Sequence, residues 1–129
     1  MAQASEGTII MLQIEHIEAA RNIDAILKVP GINVICIGPT DLSGSVGVLR
    51  QFDHPVVVEA LEHIVARSRK KSIPVCMGAA FPVETMTHWA AKGATFVLAE
   101  RTRAFAVVHA GWGGGAGAAG AGFSWGAGL

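Results

Sequence analysis

Two acidic residues stand just beyond successive apolar runs. Glu15 follows Met11-Leu12-Gln13-Ile14, and Asp41 follows Val34-Ile35-Cys36-Ile37 across the short turn Gly38-Pro39-Thr40. If both runs are strands joined through one helix, they lie parallel and their carboxyl ends share a rim. That rim is where ligands bind in open α/β sheets and in barrels alike. Two carboxylates there, with the remaining positions left to water and substrate, suit a hard divalent cation, Mg²⁺ or Mn²⁺. Each carboxylate could equally be a helix N-cap, and spacing alone does not choose between the two roles. Gln13 lies two residues before Glu15, which in a strand puts both side chains on one face. Gly38 permits a sharp exit from the strand, Pro39 stiffens it, and the backbone N–H groups that follow could face an anion.

The elements that must position these residues follow from hydrophobic patterning. Residues 9–14 form a strand candidate rich in β-branched side chains. Ile17, Ala20, Ile23, Ile26 and Leu27 then fall on one helical face, and Pro30-Gly31 stops that helix. Residues 33–38 are apolar at nearly every position, as a strand covered on both faces should be. A loop over residues 38–44 precedes a long helix over 55–71, with Asp53 as its expected N-cap. Val57, Leu61, Ile64, Val65 and Ser68 trace its inner stripe, and the basic cluster Arg67, Arg69, Lys70 and Lys71 sits where the helix dipole favours cations. Residues 73–77 make a third strand, 81–92 a third helix closed by Gly93, and 94–99 a fourth strand, with room for one more helix. The order βαβαβαβ implies a parallel α/β sheet. A four-stranded open sheet and half of a (βα)₈ barrel both fit it.

Composition narrows the class. The chain has 129 residues, and a hydrophobic fraction of 51% supports one real core. Ten basic against ten acidic side chains leave a formal charge of zero, which argues against nucleic-acid or polybasic membrane-surface binding. The first residues lack the basic and apolar segments of a signal peptide, and no run is long enough to span a bilayer. Cys36 and Cys76 both sit inside apolar runs and read as small buried hydrophobes in a reducing compartment. The expectation is a soluble, cytoplasmic protein. Nine of the 16 glycines and five alanines fall in residues 111–129, so that segment is expected to be a disordered tail.

Met11-Leu12-Gln13-Ile14-Glu15, followed one βα unit later by Ile37-Gly38-Pro39-Thr40-Asp41-Leu42-Ser43, resembles the HpcH/HpaI aldolase/citrate lyase family. The likeness continues through His54-Pro55 and Ala91-Lys92-Gly93-Ala94-Thr95-Phe96-Val97, and covers residues 8–99. It implies parallel (βα) repeats forming half of a TIM (βα)₈ barrel over residues 1–110, ahead of the Gly/Ala-rich tail. It further implies a carbon–carbon lyase acting on 2-oxo acids through a pyruvate enolate stabilised by a divalent metal. Glu15 and Asp41 match the positions that hold Mg²⁺ or Mn²⁺. Gln13 matches a side chain beside bound pyruvate, and the Thr40 and Asp41 amides match those that take its carboxylate. The partners implied are a pyruvate moiety, an aldehyde or acyl partner, and further copies of the chain in a homo-oligomer.

The departures from the family pattern are specific. The family's catalytic arginine and histidine-containing acid/base system belong to the first half of the barrel, and no histidine here matches them, so no catalytic residue is assigned within this chain. Thr40 stands where alanine is common. After Ala99 the likeness ends at Glu100-Arg101-Thr102-Arg103. The expectation is therefore a truncated or mis-spliced product, with a non-catalytic half-barrel that oligomerises or binds a partner as the alternative. A self-sufficient module binding small anions at residues 38–43 is a third reading.

Other signals carry less. Residues 115–120 satisfy G-x-G-x-x-G, but no helix, strand or ribose-binding acid follows. His16 neighbours Glu15 and so points to the opposite strand face; it is expected to cap the next helix or face solvent. His63, His88 and the Arg67–Lys71 cluster read as solvated helix positions, Arg50 as a solvated loop residue, and Trp89, Trp112 and Trp125 form no stacking pattern.

Overall fold

The computed structural model describes residues 7–78, 83–97, 105–109 and 122–126. Four strands, β1 (Met11–Ile14), β2 (Val34–Ile37), β3 (Val75–Met77) and β4 (Phe96–Val97), form one sheet in sequential order, every pair parallel. Between them run α1 (Ile17–Arg21), α2 (Ile23–Ile26), α3 (Pro39–Ser45), α4 (Pro55–Lys70) and α5 (Val83–Lys92). This is the parallel-sheet α/β arrangement expected from the alternation of patterns.

Register runs straight across the sheet. Gln13 pairs with Cys36, Cys36 with Cys76 and Cys76 with Phe96; one position on, Ile14 pairs with Ile37, Ile37 with Met77 and Met77 with Val97. Because side chains alternate along a strand, the two rows take opposite faces. Ile14, Ile35, Ile37, Val75 and Met77 join Ala20, Ile23, Leu61, Ile64 and Trp89 of the helices in the main core. Val34, Cys36 and Cys76 form a second, smaller buried cluster on the other face. β2 and β3 are thus buried on both sides, which is why they read as unbroken apolar runs.

Several boundaries differ from the sequence expectation, each for a local reason. The helix after β1 is two short pieces, broken at Asn22, a weak helix former held at φ −90° and ψ 12°. The long helix is capped by His54, whose side chain accepts from the Val56 N–H, and not by Asp53. His54 is the residue directly before Pro55, and Pro at the first helical position lacks an N–H that would need a cap. The expected loop over 38–44 is the helix α3. Pro39 presets its first turn, and Leu42 N–H donates to Gly38 O at 3.0 Å. Ser43, Gly44 and Ser45 disguise it, since all three are poor helix formers.

The C-terminal expectation needs correction. Phe105–His109 is a strand (β5), where a helix was anticipated, and it pairs antiparallel with Gly122–Gly126 (β6), inside the segment expected to be disordered. Phe105, Val107 and Val108 favour extended backbone, as do Phe123 and Trp125, the bulky residues that interrupt the Gly/Ala composition. The G-x-G-x-x-G match at 115–120 lies outside the described residues. Among the described residues, no helix is long and apolar enough to cross a membrane.

α4 presses Val57, Ala60, Leu61, Ile64, Val65 and Ser68 onto the sheet. Its far end is tied to α2 by a bidentate pair, Arg67 Nε and Nη2 donating to the Asp24 carboxylate at 2.5 and 2.6 Å. The Arg67 hydrogen bonds hold the Asp24 carboxyl below its ordinary range. Leu61 is fully buried at the centre of this contact. Leu61→Ala should cost about 2–5 kcal/mol through lost transfer energy and a cavity. Urea unfolding followed by circular dichroism measures it, and a cost near zero would mean α4 does not pack as described.

Candidate active site

The parallel register fixes where the chain leaves each strand. With Ile14 opposite Ile37, Glu15 and Gly38 emerge side by side at the carboxyl rim. The contact is close: a Cβ on Gly38 would lie 2.8 Å from Gln13 Nε2, 3.1 Å from Glu15 Cβ and 3.5 Å from Glu15 Oε2. Gly38 is buried and its φ is an ordinary −93°, so glycine is needed here for space and not for backbone freedom. Gln13 and Glu15 share the face the two-residue spacing implies, and Gln13 Nε2 donates to Glu15 Oε2 at 3.0 Å. That bond orients the carboxylate while leaving it exposed.

Asp41 lies in the first turn of α3, exposed, with Thr40 half-buried before it. Gly38 supplies no side-chain cap to this helix. The first-turn N–H groups of a helix have no intrahelical acceptor, so those of Thr40 and Asp41 are donors suited to an anion. His16 takes the capping role open to it, with Nδ1 accepting from the Glu18 N–H at 3.2 Å.

Residues that sequence reasoning missed hold these turns in place. Ser45 Oγ donates to Leu42 O at 2.7 Å and accepts the Ile17 N–H at 3.0 Å. The end of α3 is thereby joined to the start of α1, directly after Glu15-His16. Ser43, fully buried, donates to Thr40 O at 2.8 Å and accepts the Arg50 N–H at 2.8 Å. This anchors Arg50 at a left-handed φ of 62°, a conformation disfavoured for a side chain with a Cβ. Gly78, at the end of β3, completes the rim. A Cβ there would meet Ile37 O at 2.7 Å and Pro39 Cδ at 3.2 Å, against the start of α3. Nothing in the local sequence marks Ser45 or Gly78, because their partners lie in other βα units.

The donor set fits a hard cation in part. Glu15 and Asp41 supply charged oxygens, and Gly38 leaves the space beside Glu15 that a Cβ would take. Among the described residues, no group of three His, Cys, Asp or Glu could hold a metal ion. Mg²⁺ commonly takes one or two carboxylates and fills its remaining positions with water and substrate, so two suffice in kind.

The HpcH/HpaI aldolase/citrate lyase profile matches residues 2–100. The chain belongs to this family. It is 36% identical over 97 residues to a 5-keto-4-deoxy-D-glucarate aldolase of Citrobacter koseri, covering 74% of this chain and 37% of that protein. It is 44% identical over 69 residues to a 2-keto-3-deoxy-L-rhamnonate aldolase of Salmonella paratyphi B, covering 54% of this chain and 26% of that one. An HpcH/HpaI aldolase crystal structure from Desulfitobacterium hafniense superposes with a TM-score of 0.64 at 33% identity, over 70% of this chain and 35% of that one. The chain therefore spans roughly a third of the length of the family members it matches.

The tight Gly38 contact gives a direct check. Gly38→Ala should displace Gln13 and Glu15 while leaving the backbone unstrained. Amide spectra should show the largest shifts at residues 13–15, with thermal stability little changed; shifts confined to α3 would show that the rim contact is absent.

Proposed function

We propose that this chain carries the metal- and pyruvate-holding portion of a carbon–carbon lyase acting on 2-oxo acids. The observation that supports this most is the packing of Gly38 against Gln13 and Glu15 at the rim of a parallel sheet, in a member of an aldolase family. Aldolases of this family generally depend on a divalent metal. In this reading Glu15 and Asp41 hold the ion, Mg²⁺ or Mn²⁺. The Gln13 amide and the Thr40 and Asp41 backbone N–H groups orient the substrate's 2-oxo-acid end, and Gln13 also keeps Glu15 turned toward the ion.

When bound, the ion supplies Lewis-acid stabilisation of the negative charge that builds on the keto oxygen as the carbon–carbon bond breaks. The protein's contribution is positional: fixed donors at the carboxylate need no reorganisation during the reaction. Proton transfer falls to groups outside this chain, contributed by the remainder of a barrel of which these residues form half. The names of the relatives favour a polyhydroxylated 2-keto-3-deoxy acid as substrate, cleaved to pyruvate and an aldehyde.

The test is Mn²⁺ binding followed by electron paramagnetic resonance, with and without pyruvate. One ion per chain should bind, and pyruvate should tighten it about tenfold, close to 1.4 kcal/mol of coupling. Asp41→Asn should abolish binding. Unchanged Mn²⁺ affinity in that variant would sink the site assignment.

A second reading, a non-catalytic half-barrel that assembles with further copies of itself, is favoured by the first strand. Among the described residues β1 is an edge of the four-stranded sheet, and Ile9, Ile10 and Met11 at its start are 72%, 39% and 44% exposed. An open apolar edge is a template for pairing. Sedimentation should then show a dimer or larger assembly that Met11→Lys disperses; a monomer at all concentrations would end this reading.

A further inference from the structure

The two cysteines meet across the sheet. Cys36 on β2 and Cys76 on β3 are in-register partners of a parallel pair, so both thiols leave the same face at the same level. Cys76 is fully buried and Cys36 nearly so, with Val34 completing a small apolar cluster on the face away from the main core. The thiols hydrogen-bond to each other, and no disulfide joins them. We propose that Cys36 and Cys76 form a two-thiolate site for a soft, low-coordinate d¹⁰ metal ion of the Cu(I) class.

Spacing favours a metal over a disulfide. In-register residues on neighbouring parallel strands hold their Cβ atoms at roughly the strand separation, about 4.8 Å. A disulfide needs Cβ atoms about 3.8 Å apart, which would pull β2 and β3 together against their own hydrogen-bond ladder. Two metal–sulfur bonds of about 2.3 Å span about 4.6 Å, close to what the ladder already sets. Oxidation is therefore resisted by the same geometry that admits an ion.

Ligand number selects the ion. Zn²⁺ in a structural site takes four ligands, but among the described residues no third His, Cys, Asp or Glu joins this pair. Soft thiolates with only two positions suit Cu(I). Binding releases the protons still held by the two thiols, and no electron is transferred. The first proton is nearly free at neutral pH, because the hydrogen bond from Cys76 lowers the Cys36 thiol to about 7 against the opposing effect of burial. The site is separate from the proposed Glu15–Asp41 site in donor chemistry: hard oxygen at the rim, soft sulfur within the sheet.

The reduced full chain would be titrated anaerobically with Cu(I) against a competing chelator. One ion per chain is expected, and Cys36→Ala and Cys76→Ala should each weaken binding at least 100-fold while Zn²⁺ shows no comparable affinity. These variants keep the face apolar, and circular dichroism checks their fold. X-ray absorption of the loaded wild-type chain should show two sulfur neighbours and no nitrogen or oxygen, a readout that needs no variant. Two ions per chain, single-cysteine variants binding within threefold of wild type, or a nitrogen- or oxygen-containing shell would each overturn the proposal.

Discussion

The parallel, in-register pairing of β1 with β2 is the constraint from which the candidate site follows. Ile14 opposite Ile37 makes the chain leave both strands at one level, so the residues after each strand are neighbours although a helical crossover separates them in sequence. A slip of one residue would send Gln13 and Glu15 to the helix-covered face and bring Leu12 and Ile14 out of the core. Burial of Ile14 and Ile37 on that face therefore selects the register that places Gln13, Glu15 and Gly38 in contact. The chemistry of the rim is specified by hydrophobic packing one residue away.

The two faces of the sheet do different things. Helices α1, α2, α4 and α5 cover one face with a continuous apolar core. The other carries the row Gln13, Cys36, Cys76 and Phe96, which passes from an exposed amide on the edge strand to buried thiols in the middle. Polarity thus rises toward β1 and the rim, where Glu15 and Asp41 stand, and falls toward the centre. One sheet can in this way present hard and soft donors a few residues apart without competition between them.

The turns are held by hydroxyls more than by charges. Ser45 joins the last residue of α3 to the first of α1, and Ser43 ties α3 to the left-handed Arg50. Both serines also donate back to α3 carbonyls. Such bonds suit a rim that must stay rigid while its carboxylates face solvent. A buried hydroxyl satisfied in both roles carries no net charge and so adds no field at the site.

Much of the architecture was legible in the sequence. The apolar runs at 33–38 and 73–77, the stripe of Val57, Leu61, Ile64 and Val65, and the spacing of Glu15 from Asp41 specify parallel (βα) units and the side of the sheet where chemistry would lie. These are properties of periodicity, which each segment carries by itself. The legible part also included Gln13 and Glu15 on one face, since alternation along a strand is local. The tertiary structure decided what depends on distant partners. It turned 39–45 into a helix by burying Leu42, moved the cap of α4 from Asp53 to His54, and drew Gly122–Gly126 into a strand against Phe105–His109. It alone showed that Gly38 and Gly78 are glycines for want of space, that Ser45 links two βα units, and that Cys36 faces Cys76. Pairing between strands is a long-range choice, fixed only when the whole core closes, and a single segment does not encode it.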